Sequence, residues 1–221
     1  MTRSIRLSTL VSGTLLVAAP LVLSACSQEE AVATTAEETA PSSGFEFPEP
    51  APVTRSFYVD DKLNNVRLAV DLYLPEGEAE AAAFPTVLVS TRYGRRGEAY
   101  VQFTKDYLAN GYAIVIFDSI GSGVSTGVRE GELSDAEVSG IGVVAGWISS
   151  QPWSNGQVAL MGLSYSADAA DLGTTIDAPS IKASVVRFAE NDPYRHLFFP
   201  GGVANAMMRD LWGSAVAGND R

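Results

Sequence analysis

The sequence predicts an α/β fold, in which a short antiparallel hairpin leads into a mostly parallel sheet flanked by helices. Three observations predict it. Two segments near residues 56–59 and 66–74 alternate apolar and polar residues, as the strands of a half-buried hairpin do. Continuous apolar runs follow, which are typical of strands buried on both faces. Helix-compatible stretches separate these runs, and such alternation indicates parallel pairing.

The predicted elements follow one another in a regular order. The hairpin strands are Ser56–Val59 and Val66–Leu74, with the polar turn Asp60–Asn65 between them and Pro75 at the end. Three buried strands are predicted at Pro85–Ser90, Tyr112–Phe117 and Val158–Met161, with helices near Glu98–Ala109 and Asp135–Ser149. A further run, Ile181–Val186, fits the strand after the helix that follows Ser164. Ligands in such sheets bind beyond the carboxyl ends of the strands, where Tyr93, Asp118 and Ser164 fall.

Residues 1–25 have the pattern of an export signal. Two arginines precede an apolar stretch from Leu7 to Leu23, and small residues then lead to Cys26. This resembles a bacterial lipoprotein processing box, which implies cleavage before Cys26 and lipid on its thiol and new amino terminus. An uncleaved membrane helix is the alternative, which Gly13, Pro20 and the short length disfavour. We therefore expect a protein of the bacterial cell envelope, membrane-anchored through Cys26 and facing outside the cytoplasm.

Residues 26–53 comprise the lipidated cysteine and a predicted disordered, acidic tether, because the segment after Cys26 has several carboxylates, no Lys or Arg and no apolar periodicity. The whole chain has 26 acidic and 15 basic residues and a net charge of −11. Such a charge repels nucleic acid and anionic headgroups, so neither is an expected partner of the protein surface.

The chain has too few cysteines and histidines for disulfides, for the usual metal sites or for a cysteine nucleophile in its folded part. Cys26 is the only cysteine, so the folded part has no disulfide, thiolate metal site or cysteine nucleophile. The chain also has one histidine, and we expect no metal site and no cofactor.

A candidate nucleophile lies in Gly162-Leu163-Ser164-Tyr165, directly behind the apolar run Val158–Met161. An apolar strand that ends in Gly-x-Ser before a helix is the pattern of a nucleophile elbow, with Ser164 exposed on the sharp turn. The tight turn explains Gly162, and Ala167 keeps the same side small. A chance Gly-x-Ser is the alternative.

Several motifs together resemble one enzyme family, the Xaa-Pro dipeptidyl-peptidase-like serine hydrolases that include the bacterial cocaine esterases. The motifs are Asp118-x-x-Gly121-x-Gly123-x-Ser125-x-Gly127, Trp147-Ile148, Gln151-Pro152-Trp153-Ser154-Asn155-Gly156 and Gly162-x-Ser164-Tyr165, preceded by Val66–Pro75 and Thr91–Arg95. The resemblance implies an α/β-hydrolase fold, with the sheet and the cap incomplete in this chain. Residues 54–221 would then form the amino-terminal part of the hydrolase domain, with the cap beginning near residue 191.

The resemblance also implies roles for three residues. Ser164 would attack an ester or amide carbonyl, and the backbone N–H of Tyr165 would donate to the resulting oxyanion. The hydroxyl of Tyr93 would be the second donor, with a surface aromatic as the alternative reading. Asp118 and the glycines after it are expected to shape the loop under the site rather than to bind phosphate.

Some positions depart from the family pattern. Ile120 stands where an arginine is usual, which points to the loss of a buried ion pair, and Arg92 stands where a proline is usual. Ala167 replaces a glycine. Gly140 and Val143 stand where the helix before Trp147 often carries acidic residues.

A serine nucleophile needs a base, and the chain offers only His196. His196 is a candidate base, but a cap or surface position is the competing interpretation. Asp177 and Asp192 precede it in the order Ser, acid, His that this fold uses, although neither follows an obvious strand. The hypothesis is therefore an amino-terminal fragment that lacks the family's acid and base.

Two functions follow from these observations. The first is a serine hydrolase that cleaves ester, amide or peptide bonds of a small-molecule or peptide substrate through an acyl-enzyme. The second is a non-catalytic, lipid-anchored binding or scaffold lipoprotein. Apolar residues of the cap are candidates for an acyl pocket or for cap core: Phe198, Phe199, Met207, Met208 and Trp212. The sequence does not predict an oligomeric state.

Overall fold

The computed structural model describes residues 51–76, 83–97 and 103–220. The predicted export signal, Cys26 and most of the predicted tether lie outside these ranges. No helix within the ranges combines the length and the apolar character that crossing a membrane requires.

Six strands form one sheet. They are β1 (Arg55–Asp61), β2 (Val66–Tyr73), β3 (Phe84–Thr91), β4 (Ala113–Asp118), β5 (Ser154–Leu163) and β6 (Ile181–Arg187), in the spatial order β1-β2-β4-β3-β5-β6. Strand β2 pairs antiparallel with both β1 and β4, whereas the β3–β4, β3–β5 and β5–β6 pairs are parallel. The predicted α/β fold with its hairpin and mostly parallel sheet is confirmed.

The described residues also contain four α-helices and several short helical turns, some between the strands and some after β6. The helices are α1 (Thr104–Ala109), α2 (Asp135–Ser149), α3 (Tyr165–Leu172) and α4 (Gly213–Ala217). Single 3₁₀ turns span Gly173–Thr175 and Pro200–Gly202, and π-helical turns span Tyr194–Phe198 and Met207–Trp212. The α2 bounds agree with the prediction, and the predicted helix at Glu98–Ala109 is described from Thr104 onward as α1.

The core lies on both faces of the central strands. All residues of β4 are buried, which explains its continuous apolar sequence. Helix α2 packs on one face through Ile141, Val144 and Ile148. On the other face, Tyr107 and Leu108 of α1 pack against a second apolar cluster around Ile116. The sheet therefore has helices on both sides.

The hairpin turn and helix α2 are fixed by local polar contacts. The Asp61 carboxylate accepts the backbone N–H groups of Leu63 at 3.0 Å and Asn64 at 3.1 Å. Ser134 and Glu137 form a reciprocal capping box at the start of α2. These contacts explain why the chain reverses after β1 and why α2 begins at Asp135.

Strand β6 is at the edge of the described sheet and is mostly exposed. The exposed fraction is 48% for Val185 and 39% for Val186, on opposite faces of the strand. Phe188, directly after the strand, is 78% exposed. The elements that position the candidate nucleophile thus adjoin an apolar sheet edge.

Candidate functional site

Ser164 lies at the turn between β5 and α3, in a backbone conformation that non-glycine residues rarely adopt. Its φ is 58° and its ψ is −129°. Strain of this kind costs about 1–3 kcal/mol and persists only where the surrounding structure holds it. The turn therefore has the sharp strand-to-helix geometry of a nucleophile elbow.

Gly162 makes this turn possible. A Cβ at this position would lie 1.9 Å from the carbonyl oxygen of Ser166 and 2.4 Å from the backbone nitrogen of Ala167. These are backbone atoms of helix α3, so they cannot move aside as a flexible side chain would. Only glycine allows the helix to return so close to its own strand.

The first amides of α3 show how the turn is held. The backbone N–H groups of Ala167 and Asp168 donate to the Ser164 carbonyl at 2.7 and 3.1 Å. The Ser164 N–H donates to the carbonyl of Arg187 on β6 at 3.1 Å. Because Tyr165 is the first residue of the helix, no carbonyl of that helix accepts its N–H, which remains available to a ligand.

The structure brings three predicted site residues to one cavity of about 270 Å³. Ser164, Tyr165 and Tyr93 all line it. Of the apolar cap residues considered from the sequence, four also line it: Phe198, Met207, Met208 and Trp212. Phe199 instead stacks on Tyr194, with ring centroids 4.7 Å apart. The predicted nucleophile and both predicted oxyanion donors thus share one largely apolar space.

Tyr93 is half-buried and fixed on several sides. Its backbone N–H donates to the Thr91 hydroxyl at 3.0 Å. Its ring meets the Tyr165 ring edge-on at 5.9 Å between centroids, a favourable geometry for two aromatic rings. The indole N–H of Trp212 donates to its hydroxyl oxygen at 3.4 Å. These contacts aim the phenol at the cavity.

A buried ion pair underlies the elbow. The Tyr165 hydroxyl donates to Glu137 at 3.1 Å, and Arg129 forms an ion pair with the same carboxylate. The Arg129 guanidinium also lies 5.2 Å from the centre of the Tyr165 ring. The Arg129 and Glu137 side chains are 4% and 2% exposed. The loop therefore has a buried ion pair although Ile120 replaces the usual arginine.

Burial has the largest effect on the pKa values of Tyr165 and Glu137. Desolvation raises the pKa of the Tyr165 phenol, and the neighbouring Glu137 charge raises it further. Desolvation also raises the pKa of Glu137, against the opposing effect of Arg129. The Tyr165 side chain is thus a neutral hydrogen-bond donor. Glu137 is not singled out in the sequence analysis, although Ser134-x-x-Glu137 at the start of α2 has the pattern of a capping box.

Asp118 shapes the loop after β4. One carboxylate oxygen accepts the Arg95 backbone N–H at 2.7 Å, and the other accepts the Val124 N–H at 3.0 Å. A Cβ on Gly123 would lie 2.4 Å from this carboxylate, and Gly123 has a φ of 53°. These contacts are those of a loop-closing residue.

Three carboxylates that the sequence analysis did not assign to the site also line the cavity: Glu132, Asp168 and Glu190. The Glu190 backbone N–H donates to the Asp168 carboxylate at 2.7 Å. Burial and the nearby Glu190 charge raise the pKa of Asp168. Sequence signals exist for two of the three: Asp168 lies one helical turn after Ser164, and Glu190 follows the carboxyl end of β6.

The structure does not bring His196 to this cavity. Its side chain is 56% exposed, and its Nδ1 lies 3.7 Å from a carboxylate oxygen of Glu190. It is not among the lining residues, and no hydrogen bond joins it to Ser164. Of the two acids considered with it, Asp192 accepts the Arg195 backbone N–H at 3.0 Å. The described arrangement thus brings together the candidate nucleophile and the candidate oxyanion donors, and His196 is not in contact with them.

Comparisons with known proteins match this chain to one hydrolase family and to two proteins named as esterases. The family model of the X-Pro dipeptidyl-peptidase (S15 family) matches residues 64–220. A Mycobacterium bovis protein named as a candidate serine esterase is 35% identical over 176 residues, which cover 72% of this chain. Cocaine esterase of Rhodococcus is 29% identical over 165 residues, or 69% of this chain. The matched segments are 28% and 27% of those two relatives, so the chain spans just over a quarter of their length.

A solved structure supports the fold. The CocE/NonD family hydrolase from Staphylococcus aureus superposes with a TM-score of 0.66 at 22% sequence identity. The match covers 73% of this chain and 32% of that one. At this identity the likeness bears on the fold alone.

Proposed function

Because the chain belongs to the X-Pro dipeptidyl-peptidase (S15) family, we propose that it acts in a serine hydrolase that cleaves ester, amide or peptide bonds. One observation carries the proposal. Ser164 is held in a strained turn and lines one cavity together with Tyr165, whose N–H opens helix α3, and Tyr93. A serine in this setting is suited to attack a bound carbonyl.

The proposed reaction has two halves. The Ser164 oxygen attacks the carbonyl carbon and passes its proton to a base, and the carbonyl oxygen becomes an oxyanion. The oxyanion accepts hydrogen bonds from the Tyr165 N–H and the Tyr93 O–H. Collapse of this intermediate expels the alcohol or amine, which takes up the proton, and leaves an acyl group on Ser164. Water then attacks the acyl-enzyme, which releases the acid and restores the serine.

The oxyanion donors account for a substantial part of the proposed rate. Donors that already point at a forming negative charge need no rearrangement during the reaction, and the loss of one such donor costs about 10²–10³ in kcat. The Tyr165 N–H is fixed because it opens helix α3. The Tyr93 ring is fixed by its contacts with Tyr165 and Trp212.

Within the described residues, no histidine is in place to activate Ser164. His196 is exposed and does not line the cavity. A histidine base would therefore reach Ser164 either by movement of the turn Tyr194–Phe198 or from a part of the protein that the described ranges do not include.

The cavity wall supports a substrate with an apolar acyl portion. Leu133, Leu197 and Met208 line the cavity together with Ser164. An apolar group that leaves water for such a surface stabilises the complex by about 25 cal/mol for each Å² buried. We propose esters or amides of this kind as the substrate class.

The test of the nucleophile is labelling with a fluorophosphonate probe, followed by mass-spectrometric mapping of the adduct. We expect the adduct on Ser164 of the protein as encoded in full, and its loss in Ser164→Ala. Ser150→Ala is the matched control, because Ser150 is an exposed residue at the end of α2, and it should label normally. A folded protein that takes up no probe on Ser164 contradicts the proposal and favours the non-catalytic lipoprotein.

We also propose that the mature protein is attached to the cell envelope through lipid on Cys26. The support is the arrangement of the export pattern before this single cysteine. Metabolic labelling with an alkyne fatty acid should mark the wild type and leave Cys26→Ser unmarked. Equal labelling of the two proteins would contradict this attachment.

A further inference from the structure

We propose that Trp212 is a positioning residue for the Tyr93 hydroxyl, and that Arg92 holds Trp212 in place. This inference rests on the proposed function, since it concerns the oxyanion donor that would serve Ser164. Its basis is a set of contacts between the loop after β3 and the turn Met207–Trp212, two parts of the chain that are far apart in sequence.

The direction of one hydrogen bond is the central observation. A tyrosine hydroxyl has one proton to donate and accepts through its oxygen, whereas an indole N–H donates and never accepts. The Trp212 N–H donates to the Tyr93 oxygen at 3.4 Å. Trp212 therefore occupies an acceptor position of this oxygen and cannot take its proton.

The proton of Tyr93 is consequently left for another acceptor. Tyr93, Trp212 and Ser164 line the same cavity, so an oxyanion formed at Ser164 would lie in the cavity that Tyr93 also lines. The edge-on contact with the Tyr165 ring restricts the tilt of the phenol. Trp212 thus orients the hydroxyl as a donor before any substrate arrives, which is how an oxyanion donor gains its advantage.

Arg92 explains why the indole stays in this position. Its guanidinium lies 5.1 Å from the centre of the Trp212 ring, as in a cation–π contact. The side chain is only 2% exposed, and it bonds to both carboxylate oxygens of Asp220 at 2.7 and 2.8 Å. Glu132 forms an ion pair with the same guanidinium. Arg92 directly precedes Tyr93, so one loop carries both the hydroxyl and the group that holds its partner.

The two contacts of Trp212 use different parts of its side chain. The aromatic face meets Arg92, and the N–H meets Tyr93. Trp212→Phe keeps an aromatic face and removes the N–H. This substitution therefore separates positioning of the hydroxyl from general packing of the cap.

The experiment is a double-mutant cycle on the rate at which the fluorophosphonate probe labels Ser164 in the protein as encoded in full. The phosphonyl oxygen of the probe occupies the place of the oxyanion during the reaction. We expect Trp212→Phe to slow labelling by about 2- to 10-fold, the range for one hydrogen bond. Tyr93→Phe should slow it by about 10²-fold or more. In the Tyr93→Phe background, Trp212→Phe should have no further effect, because its target is gone.

A purely structural role for Trp212 predicts a different outcome. The slowing by Trp212→Phe would then be the same factor with and without the Tyr93 hydroxyl, and that result would overturn the inference. With an ester substrate, we expect Trp212→Phe to lower kcat and leave KM nearly unchanged, whereas loss of packing would raise KM.

A second readout does not depend on activity. In a ¹H–¹⁵N spectrum, the Trp212 indole signal, assigned from its loss in Trp212→Phe, should shift in Tyr93→Phe. The indole signals of Trp147 and Trp153 serve as internal references, since those rings pack against each other at 6.0 Å in the core. An unmoved Trp212 signal would overturn the inference even if the protein takes up no probe.

Failure of this inference differs from failure of the proposed function. If Ser164→Ala labels like the wild type, Ser164 is not the nucleophile and the proposed function fails. If Ser164 is labelled but the effects of Trp212→Phe and Tyr93→Phe on the labelling rate multiply, only the positioning role of Trp212 fails.

Discussion

The conformation of single residues decides whether the elbow forms, and Gly162 is the most sensitive of them. Its missing Cβ leaves room for the backbone of Ser166 and Ala167. We expect Gly162→Ala to lower the free energy of unfolding by about 3 kcal/mol, because an inserted carbon must displace main-chain atoms. Urea unfolding measures this loss, and labelling of Ser164 should fall with it.

Gly146 provides the matched control. It lies on the exposed side of helix α2, and a Cβ there would meet nothing within 4 Å. Gly146→Ala should therefore stabilise the protein by about 0.5–1 kcal/mol, since alanine favours a helix more than glycine does. Equal effects of the two substitutions would contradict the steric explanation for Gly162.

Asp168 should give stability a pH dependence. Burial, with the charge of Glu190, raises the pKa of this carboxyl above its usual 3.8, so the folded protein keeps the proton to higher pH than the unfolded chain does. The stability from this group is fully present below pH 3.8 and is lost as the pH rises through the raised folded pKa. Asp168→Asn retains an oxygen that accepts the Glu190 N–H and has no charge to bury.

We therefore expect Asp168→Asn and the wild type to be closest in stability at the acid end, with the variant gaining as the pH rises to neutral. Urea midpoints at several pH values measure this difference. A constant difference across the range would contradict the role of the buried charge.

At the scale of elements, the capping box of helix α2 has a separable effect. The Ser134 hydroxyl accepts the Glu137 N–H, and the Glu137 carboxylate accepts the Ser134 N–H. Ser134→Ala should lower the free energy of unfolding by about 1 kcal/mol, because one N–H of the first turn loses its partner. Ser149→Ala at the exposed end of the same helix should change it by less than about 0.5 kcal/mol. Unfolding curves that rank the two variants in the opposite order would contradict the capping role.

The sequence predicts a strand or helix correctly where its pattern of apolar residues matches the burial of that element in the structure. Strand β4 is buried throughout and its sequence is continuously apolar, and α2 has its cap and its periodicity in the sequence itself. Glu137 is different, because nothing local shows that a capping residue also pairs with Arg129 beneath Tyr165. Such pairings arise from the packing of distant segments.

The same limit applies to the site. Ser164 and its turn were predictable because glycine, serine and strand lie within a few residues of each other. The contact between Trp212 and Tyr93 joins a loop after β3 to a turn after β6, 119 positions apart, so no spacing rule indicates it. His196 has the right residue type, yet its exposed position lies away from the cavity wall.

At the scale of the whole molecule, the apolar edge at β6 should promote self-association. Val185 and Val186 are exposed on the strand, and the described sheet has no neighbour on its outer side. Unpaired apolar edges template pairing with a second chain, and a charge on the edge opposes it. We expect residues 27–221 to form dimers or larger species as the concentration rises, and Val185→Lys to shift them toward monomer.

Light scattering after size-exclusion chromatography measures this shift. Leu63→Lys is the control, because Leu63 is 74% exposed in the hairpin turn, at the opposite edge of the sheet. If both lysine variants lower the association equally, added charge rather than the β6 edge is responsible.

The strained backbone of Ser164 also has an evolutionary consequence. Glycine adopts a φ of 58° without penalty, so a Ser164→Gly change would relax the turn while removing the hydroxyl. Selection for catalysis and selection for stability therefore oppose each other at this one codon. A descendant released from catalytic selection would gain stability by drifting to glycine here.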